Sequence, residues 1–187
     1  MIEAFLVSLS TVAVAEMGDR TQLLSLVLAA KFRKPWQIVA GVLAATIANH
    51  AAAGFIGVWF GRILTPGVVD MVVGLSLIAM AAWTLKPDKL DNEDVSGQSA
   101  FLTTLIAFFI AEIGDKTQIA TIALAAAYRN LLAVVAGTTL GMMAANVPVI
   151  FLGSSFATRL PLRTIHLAAA GLFALLGFVF LFRAFWH

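Results

Sequence analysis

The chain has 187 residues, of which 61% are hydrophobic and 12% charged, with a formal net charge of +2 and a mean hydropathy of +0.97. A soluble domain carries roughly 25% charged residues, so this composition belongs to an integral membrane protein. The few, scattered charges give a nucleic acid no footing, and the absence of cysteine excludes disulfides and thiolate metal sites.

Six apolar segments follow one another, over about 2–30, 36–60, 66–85, 99–128, 131–157 and 164–186. The first begins Met-Ile-Glu-Ala-Phe without a basic region and stays apolar well past a signal peptide's length, so a retained helix is expected rather than a cleaved leader. Pro35, Pro66 and Pro161 stand at or just before three segment starts, where a missing N–H does least harm. A polar, acidic linker over 87–98, entered at Lys86, divides the chain into a first half, 1–86, and a second, 99–187. Each half holds three segments. The expected fold is therefore all-α, with six transmembrane helices.

The halves repeat. Glu16-Met17-Gly18-Asp19-Arg20-Thr21-Gln22 returns, at an offset of 96 positions, as Glu112-Ile113-Gly114-Asp115-Lys116-Thr117-Gln118. At the same offset Ser25 matches Thr121, Phe32 matches Tyr128, Arg33 matches Arg129, Ala40-Gly41 matches Ala136-Gly137, and Gly57 matches Gly153. Gly74 pairs with Gly171 after a one-residue slip. An odd number of spans per half makes the second half enter the membrane from the opposite side. Two inverted three-helix repeats with the site at their interface are a common transporter plan.

Each motif lies mid-run, near the bilayer midplane for a helix rising about 1.5 Å per residue. Ionisable groups at that depth are costly and mark ion or proton paths. The polar residues of the motif wrap most of a helix circumference, so the motif helix is either enclosed by others or interrupted at Gly18 and Gly114. Glycine permits such a break, which frees backbone carbonyls to face a cavity. If all four acids ionise, Glu16, Asp19, Glu112 and Asp115 carry four negative charges against two positive ones on Arg20 and Lys116. The remainder matches one divalent cation or two protons, and alternating between those fillings is metal/proton exchange. The acids coordinate the metal and take up protons, while Arg20 and Lys116 set the charge balance. Further oxygen ligands are Gln22, Gln118, Thr21 and Thr117, with Asn49 and Asn146 on the second segments. An all-oxygen set favours Ca(II), Mn(II) or Mg(II) over Zn(II) or Cu(I).

Plainer readings compete with these. Glu16–Arg20 and Glu112–Lys116 are i,i+4 pairs that could only brace a helix. His50 has no histidine counterpart and reads more economically as a buried ring bonded to a backbone carbonyl than as a ligand. His166 and His187 read as interfacial, and Trp36, Trp59, Trp83 and Trp186 as interface anchors at span ends. Lys31, Arg33, Lys34, Lys86, Lys89, Arg159 and Arg163 outnumber Arg62, Arg129 and Arg183 on the opposite side, which predicts both termini outside the cytoplasm.

The duplicated Glu-x-Gly-Asp-(Lys/Arg)-(Thr/Ser), here Glu16 to Thr21 and Glu112 to Thr117, resembles one family over essentially the whole chain. It is the cation/proton antiporter family that includes the Golgi manganese/calcium transporter, chloroplast manganese transporters and bacterial manganese exporters of the MneA type. The resemblance implies Mn(II), with Ca(II) as the other candidate, as the transported ion, and protons as counter-ion. It also implies ion binding by Glu16, Asp19, Glu112 and Asp115, and export across a bacterial inner membrane. The partners are then the metal ion, protons and the bilayer, without a resident cofactor or enzymatic activity, and the plan allows a homodimer. An exporter of a small organic solute such as an amino acid is the alternative. An aspartyl intramembrane protease using Asp19 and Asp115 is a remote third, because four acids and two bases would disturb a shared-proton dyad.

Overall fold

The computed structural model describes residues 1–85, 99–153 and 161–186. The linker, Lys86, Lys89, Arg159 and His187 lie outside the described residues. Among the described residues all regular structure is helical: α1 (Ile2–Glu16), α2 (Arg20–Phe32), α3 (Pro35–Ile63), α4 (Pro66–Thr84), α5 (Ala100–Glu112), α6 (Lys116–Tyr128), α7 (Leu131–Leu152) and α8 (Leu162–Ala184). α3, α4, α7 and α8 are long and apolar enough to cross a membrane. The two motif-bearing runs are each interrupted, of the two arrangements the sequence allows, so that 2–30 and 99–128 become the pairs α1/α2 and α5/α6. α7 closes earlier than the expected 157, at Leu152, with Gly153 as its cap at φ 66°.

Local chemistry explains the other boundaries. Pro35 and Pro66 open α3 and α4 at first-turn positions, where no N–H is needed. α2 and α6 end identically: Arg33 and Arg129 adopt left-handed φ of 53° and 50°, and their N–H groups bond the carbonyls of Ala29 and Ala125.

The molecule is apolar outside and polar within. Ile47, Phe55, Val72, Leu75, Ile106, Leu140 and Phe178 are exposed, whereas Ser8, Thr11, Glu16, Asp19, Thr46, His50, Glu112 and Asn146 are fully buried or nearly so. In water this distribution would be ruinous. Hydrocarbon favours it, and the chain is an integral membrane protein. Trp36, Trp59, Trp83 and Trp186 are all exposed, near the ends of their helices.

Helices of one half pack chiefly on helices of the other: α1 along α7, α3 along α5 and α6, and α4 along α8. Glycines set these approaches. A Cβ on Gly41 would sit 2.8 Å from the Phe101 carbonyl and 2.8 Å from Thr104 Cβ. A Cβ on Gly137 would sit 2.5 Å from the Phe5 carbonyl and 2.9 Å from Ser8 Cβ. The two sets of partners stand at the offset of the sequence repeat, so the same crossing is built twice. Gly74 meets Gly177, rather than the Gly171 with which the repeat aligns it. At one end of the molecule Tyr128 donates to Glu3 (3.3 Å) and packs edge-on against Phe180, while Arg183 pairs with Asp70 at 3.6 Å. At the other, Trp36 packs edge-on against Phe151.

Close backbone approach makes a sharp prediction. A Cβ on Gly57 would lie 2.2 Å from the Ile122 carbonyl, whereas one on Gly171 meets nothing within 4 Å. Gly57→Val should destabilise the protein by about 3 kcal/mol or more, and Gly171→Ala should be neutral or stabilising by up to about 1 kcal/mol. Thermal unfolding in detergent, followed by size-exclusion, reads the difference; equal melting temperatures would contradict the packing described.

Candidate metal centre

The motif is a turn with a helix on each side. Glu16 is the last residue of α1, and Met17 takes φ −65° and ψ 117°. Gly18 takes φ 83°, and the Asp19 N–H bonds the Glu16 carbonyl at 3.1 Å. The second copy repeats this: Ile113 at φ −64° and ψ 120°, Gly114 at φ 74°, and Asp115 N–H on the Glu112 carbonyl at 3.2 Å. These are type II turns, whose third position needs positive φ and so favours glycine. Around Gly114 there is open space within 4 Å, so conformation and not crowding is what demands glycine there. Asp19 and Asp115 then serve as N-cap residues of α2 and α6.

The glutamines brace the break. Gln22 Oε1 accepts from Gly18 N–H and Gln118 Oε1 from Gly114 N–H, both at 2.8 Å. Each amide nitrogen reaches the other half: Gln22 Nε2 to the Ala145 carbonyl at 2.8 Å, and Gln118 Nε2 to Asn49 Oδ1 at 3.5 Å. Ala145 and Asn49 are themselves at equivalent positions of the repeat. The Ala145 carbonyl lies in the turn of α7 preceding Pro148. The oxygens of Gln22 and Gln118 thus bond the backbone of their own turns. Of the hydroxyls, Thr21 donates to Glu16 at 2.5 Å and Thr117 to Asp115 at 3.2 Å.

Both bases cross between halves. Arg20 faces Asp115 at 3.6 Å and also donates to the Ala111 carbonyl freed at the end of α5, and Lys116 donates to Asp19. A helix-bracing role for i,i+4 pairs is therefore replaced: the turn separates Glu16 from Arg20 and Glu112 from Lys116 onto different helices. The two crossed pairs differ in exposure. Lys116 and Asp19 are buried, while the Arg20 side chain is 36% exposed and Ile113 and Gly114 are open to the outside.

Among the described residues Glu16, Asp19 and Asp115 form a group in which one carboxylate oxygen of each lies within 4.8 Å of the others. That spacing suits hard divalent cations, which collect carboxylate oxygens around one centre. The fourth motif acid, Glu112, is not in this group. Its Oε1 accepts from Thr46 at 2.8 Å, and its Oε2 faces His50 Nε2 at 4.0 Å. Asn49 donates to the Phe109 carbonyl at 3.1 Å. Asn146 accepts from Ser25 at 2.8 Å and donates to Met142. The structure accordingly brings together three of the four acids and both bases, and sets Asn49 and Asn146 beside broken-helix segments.

Two participants escape a motif-based reading. Thr46 sits one turn before His50 on α3, a spacing that puts both on one face. Asp70 is a buried acid on α4, outside the motif cluster and paired with Arg183. Its signal was its being the one acid in the apolar run 66–85.

Comparisons with known proteins agree on one family. The family model for the divalent cation/proton antiporter GDT1 matches residues 4–92 and 100–187. A putative manganese exporter of Vibrio cholerae is 50% identical over 173 residues, spanning 91% of this chain and 86% of that protein. A GDT1-like protein of Synechocystis is 28% identical, spanning 96% and 97%, and GDT1-like protein 3 of rice is 31% identical, spanning 95% and 72%. No solved structure matches the chain. These matches favour a transporter of cations over an organic-solute exporter and over an enzyme. By the extent of the family match and the identity to its relatives, this chain belongs to the divalent cation/proton antiporter GDT1 family.

Proposed function

We propose that the protein exchanges Mn(II) for protons and exports the metal from the cytoplasm across a bacterial inner membrane. The observation that carries the reading is the convergence of Glu16, Asp19 and Asp115, drawn from both halves, at a double helix break inside an apolar shell. Family membership supports the counter-ion, and similarity to the putative manganese exporter of Vibrio cholerae supports the ion.

Glu16, Asp19 and Asp115 supply carboxylate oxygens to the cargo, and Glu112 completes the charge. Lys116 pairs with Asp19 and Arg20 with Asp115, so that each of these acids has a base beside it. A divalent ion arriving in the cluster displaces these bases, and protons replace the ion when it leaves. The fold we propose is six crossings as two inverted three-helix repeats, with α1/α2 and α5/α6 each forming one interrupted crossing. The paired crossings at Gly41 and Gly137 support it, as does the meeting of the starts of α1 and α4 with the ends of α6 and α8. Rocking of the repeats would open the cluster to each side in turn. The unequal exposure of the two base–acid pairs supports a state open on the Arg20 side. The excess of Lys and Arg on the side opposite Arg62, Arg129 and Arg183 supports termini on the outer side.

Three outcomes are expected. In liposomes carrying a metal-sensitive dye, an acid interior should drive Mn(II) entry, and Asp19→Asn or Asp115→Asn should cut it by at least one to two orders of magnitude, given that losing even an outer-shell partner costs 10–100-fold. Normal flux in the amide variants of all four acids would sink the proposal. Mn(II) binding to the detergent-solubilised protein should release protons into a weakly buffered solution, because carboxylates must be deprotonated to bind. Apparent affinity should then tighten as pH rises; calorimetry showing no pH dependence and no proton release would argue against coupling.

A further inference from the structure

The symmetry of the site fails on the second segment of each half, and at His50 it fails in favour of a metal ligand. His50 on α3 corresponds, at the repeat offset, to Asn146 on α7, and Thr46 corresponds to Met142. Asn146 is satisfied: it accepts from Ser25 and donates to Met142. His50 is fully buried, yet neither ring nitrogen has a hydrogen-bond partner, so the backbone-carbonyl bond expected of a structural histidine is not made. Glu112 Oε2, equally buried, also has no hydrogen-bond partner and stands 4.0 Å from His50 Nε2. Leaving such atoms unsatisfied is expensive in a low-dielectric interior. At 4.0 Å the two are too far apart to hydrogen-bond, but close to the span of two metal–ligand bonds of about 2.1 Å each. Thr46 fixes the carboxylate by donating to its other oxygen, which leaves Oε2 aimed at the imidazole.

We infer that His50 Nε2 and Glu112 Oε2 form a nitrogen-bearing cation subsite beside the three-carboxylate cluster, and that His50 biases the protein toward first-row transition metals over Ca(II) and Mg(II). The donor set of the path is then not all-oxygen. Imidazole binds transition metals well and adds little for Ca(II) or Mg(II), which prefer oxygen. The inference rests on the cation-transport reading above and adds the selecting residue.

The test is pulsed electron spin-echo spectroscopy of Mn(II) bound to the tag-free protein, which detects a directly ligated imidazole nitrogen. The expected result is imidazole modulation in the natural protein and its loss in His50→Asn, the side chain that the equivalent position carries. In liposomes the ratio of Mn(II) to Ca(II) flux should fall on the order of tenfold in His50→Asn. Bound Mn(II) without imidazole modulation, or modulation that survives His50→Asn, overturns the subsite and leaves the antiporter reading standing. An absence of Mn(II) binding takes down both. An unchanged flux ratio in His50→Asn overturns the selectivity role. Should His50→Asn not fold, His50→Gln replaces it, and the spectrum of the natural protein decides by itself whether a nitrogen binds.

Discussion

A helix interrupted inside hydrocarbon must find partners for the amides and carbonyls it releases, because no water is there to take them. Four polar residues of the centre answer to that demand. Gln22 and Gln118 take the glycine N–H groups of the two turns. Arg20 takes the Ala111 carbonyl, and Asn49 takes that of Phe109. The motif is thus a fold element before it is a binding element: an acid to end one helix, a glycine to turn, an acid to cap the next, and a glutamine to hold the turn. The carboxylates face chiefly side chains, with Asp115 Oδ2 also taking the Thr117 N–H at 3.4 Å. Each turn sets them near the negative end of one helix dipole and the positive end of the next.

Duplication supplies two of these turns, and packing makes them one site. Glycine-mediated crossings draw α1 against α7 and α5 against α3, so each turn is pressed toward the other half's partners. The crossed pairs Arg20–Asp115 and Lys116–Asp19 express that interleaving electrostatically. Repetition also makes departures visible. Thr21 and Thr117 are equivalent, but one donates to Glu16 and the other to Asp115. Glu16 joins the three-carboxylate group, whereas its counterpart Glu112 turns to Thr46 and His50.

Much of this was legible from residues alone, and the reasons are physical. Apolar runs reveal helices in a membrane because lipid imposes one rule along their length. The repeat exposed the paired motifs, and glycine within each marked where a helix could break. Periodicity could not say that Glu16 and Arg20 would leave a common helix, since the choice between enclosure and interruption depends on neighbours distant in sequence. For the same reason Lys116 could not be matched to Asp19, nor Gly74 to Gly177. Thr46 was invisible, and His50 read as a structural ring, for a different cause. They lie on a second helix that carries no motif, and only its approach to the end of α5 gives them Glu112.

The interleaving of the halves also has a meaning in time. α1 is made well before its partners: the surface that accepts it, around Gly137 on α7, follows the whole of α5 and α6. During synthesis Glu16 and Asp19 therefore wait in the membrane for Asp115 and Lys116, with no native cross-half neighbour. A segment made early is among the last to be secured, and the first half completes its assembly only when the second has arrived.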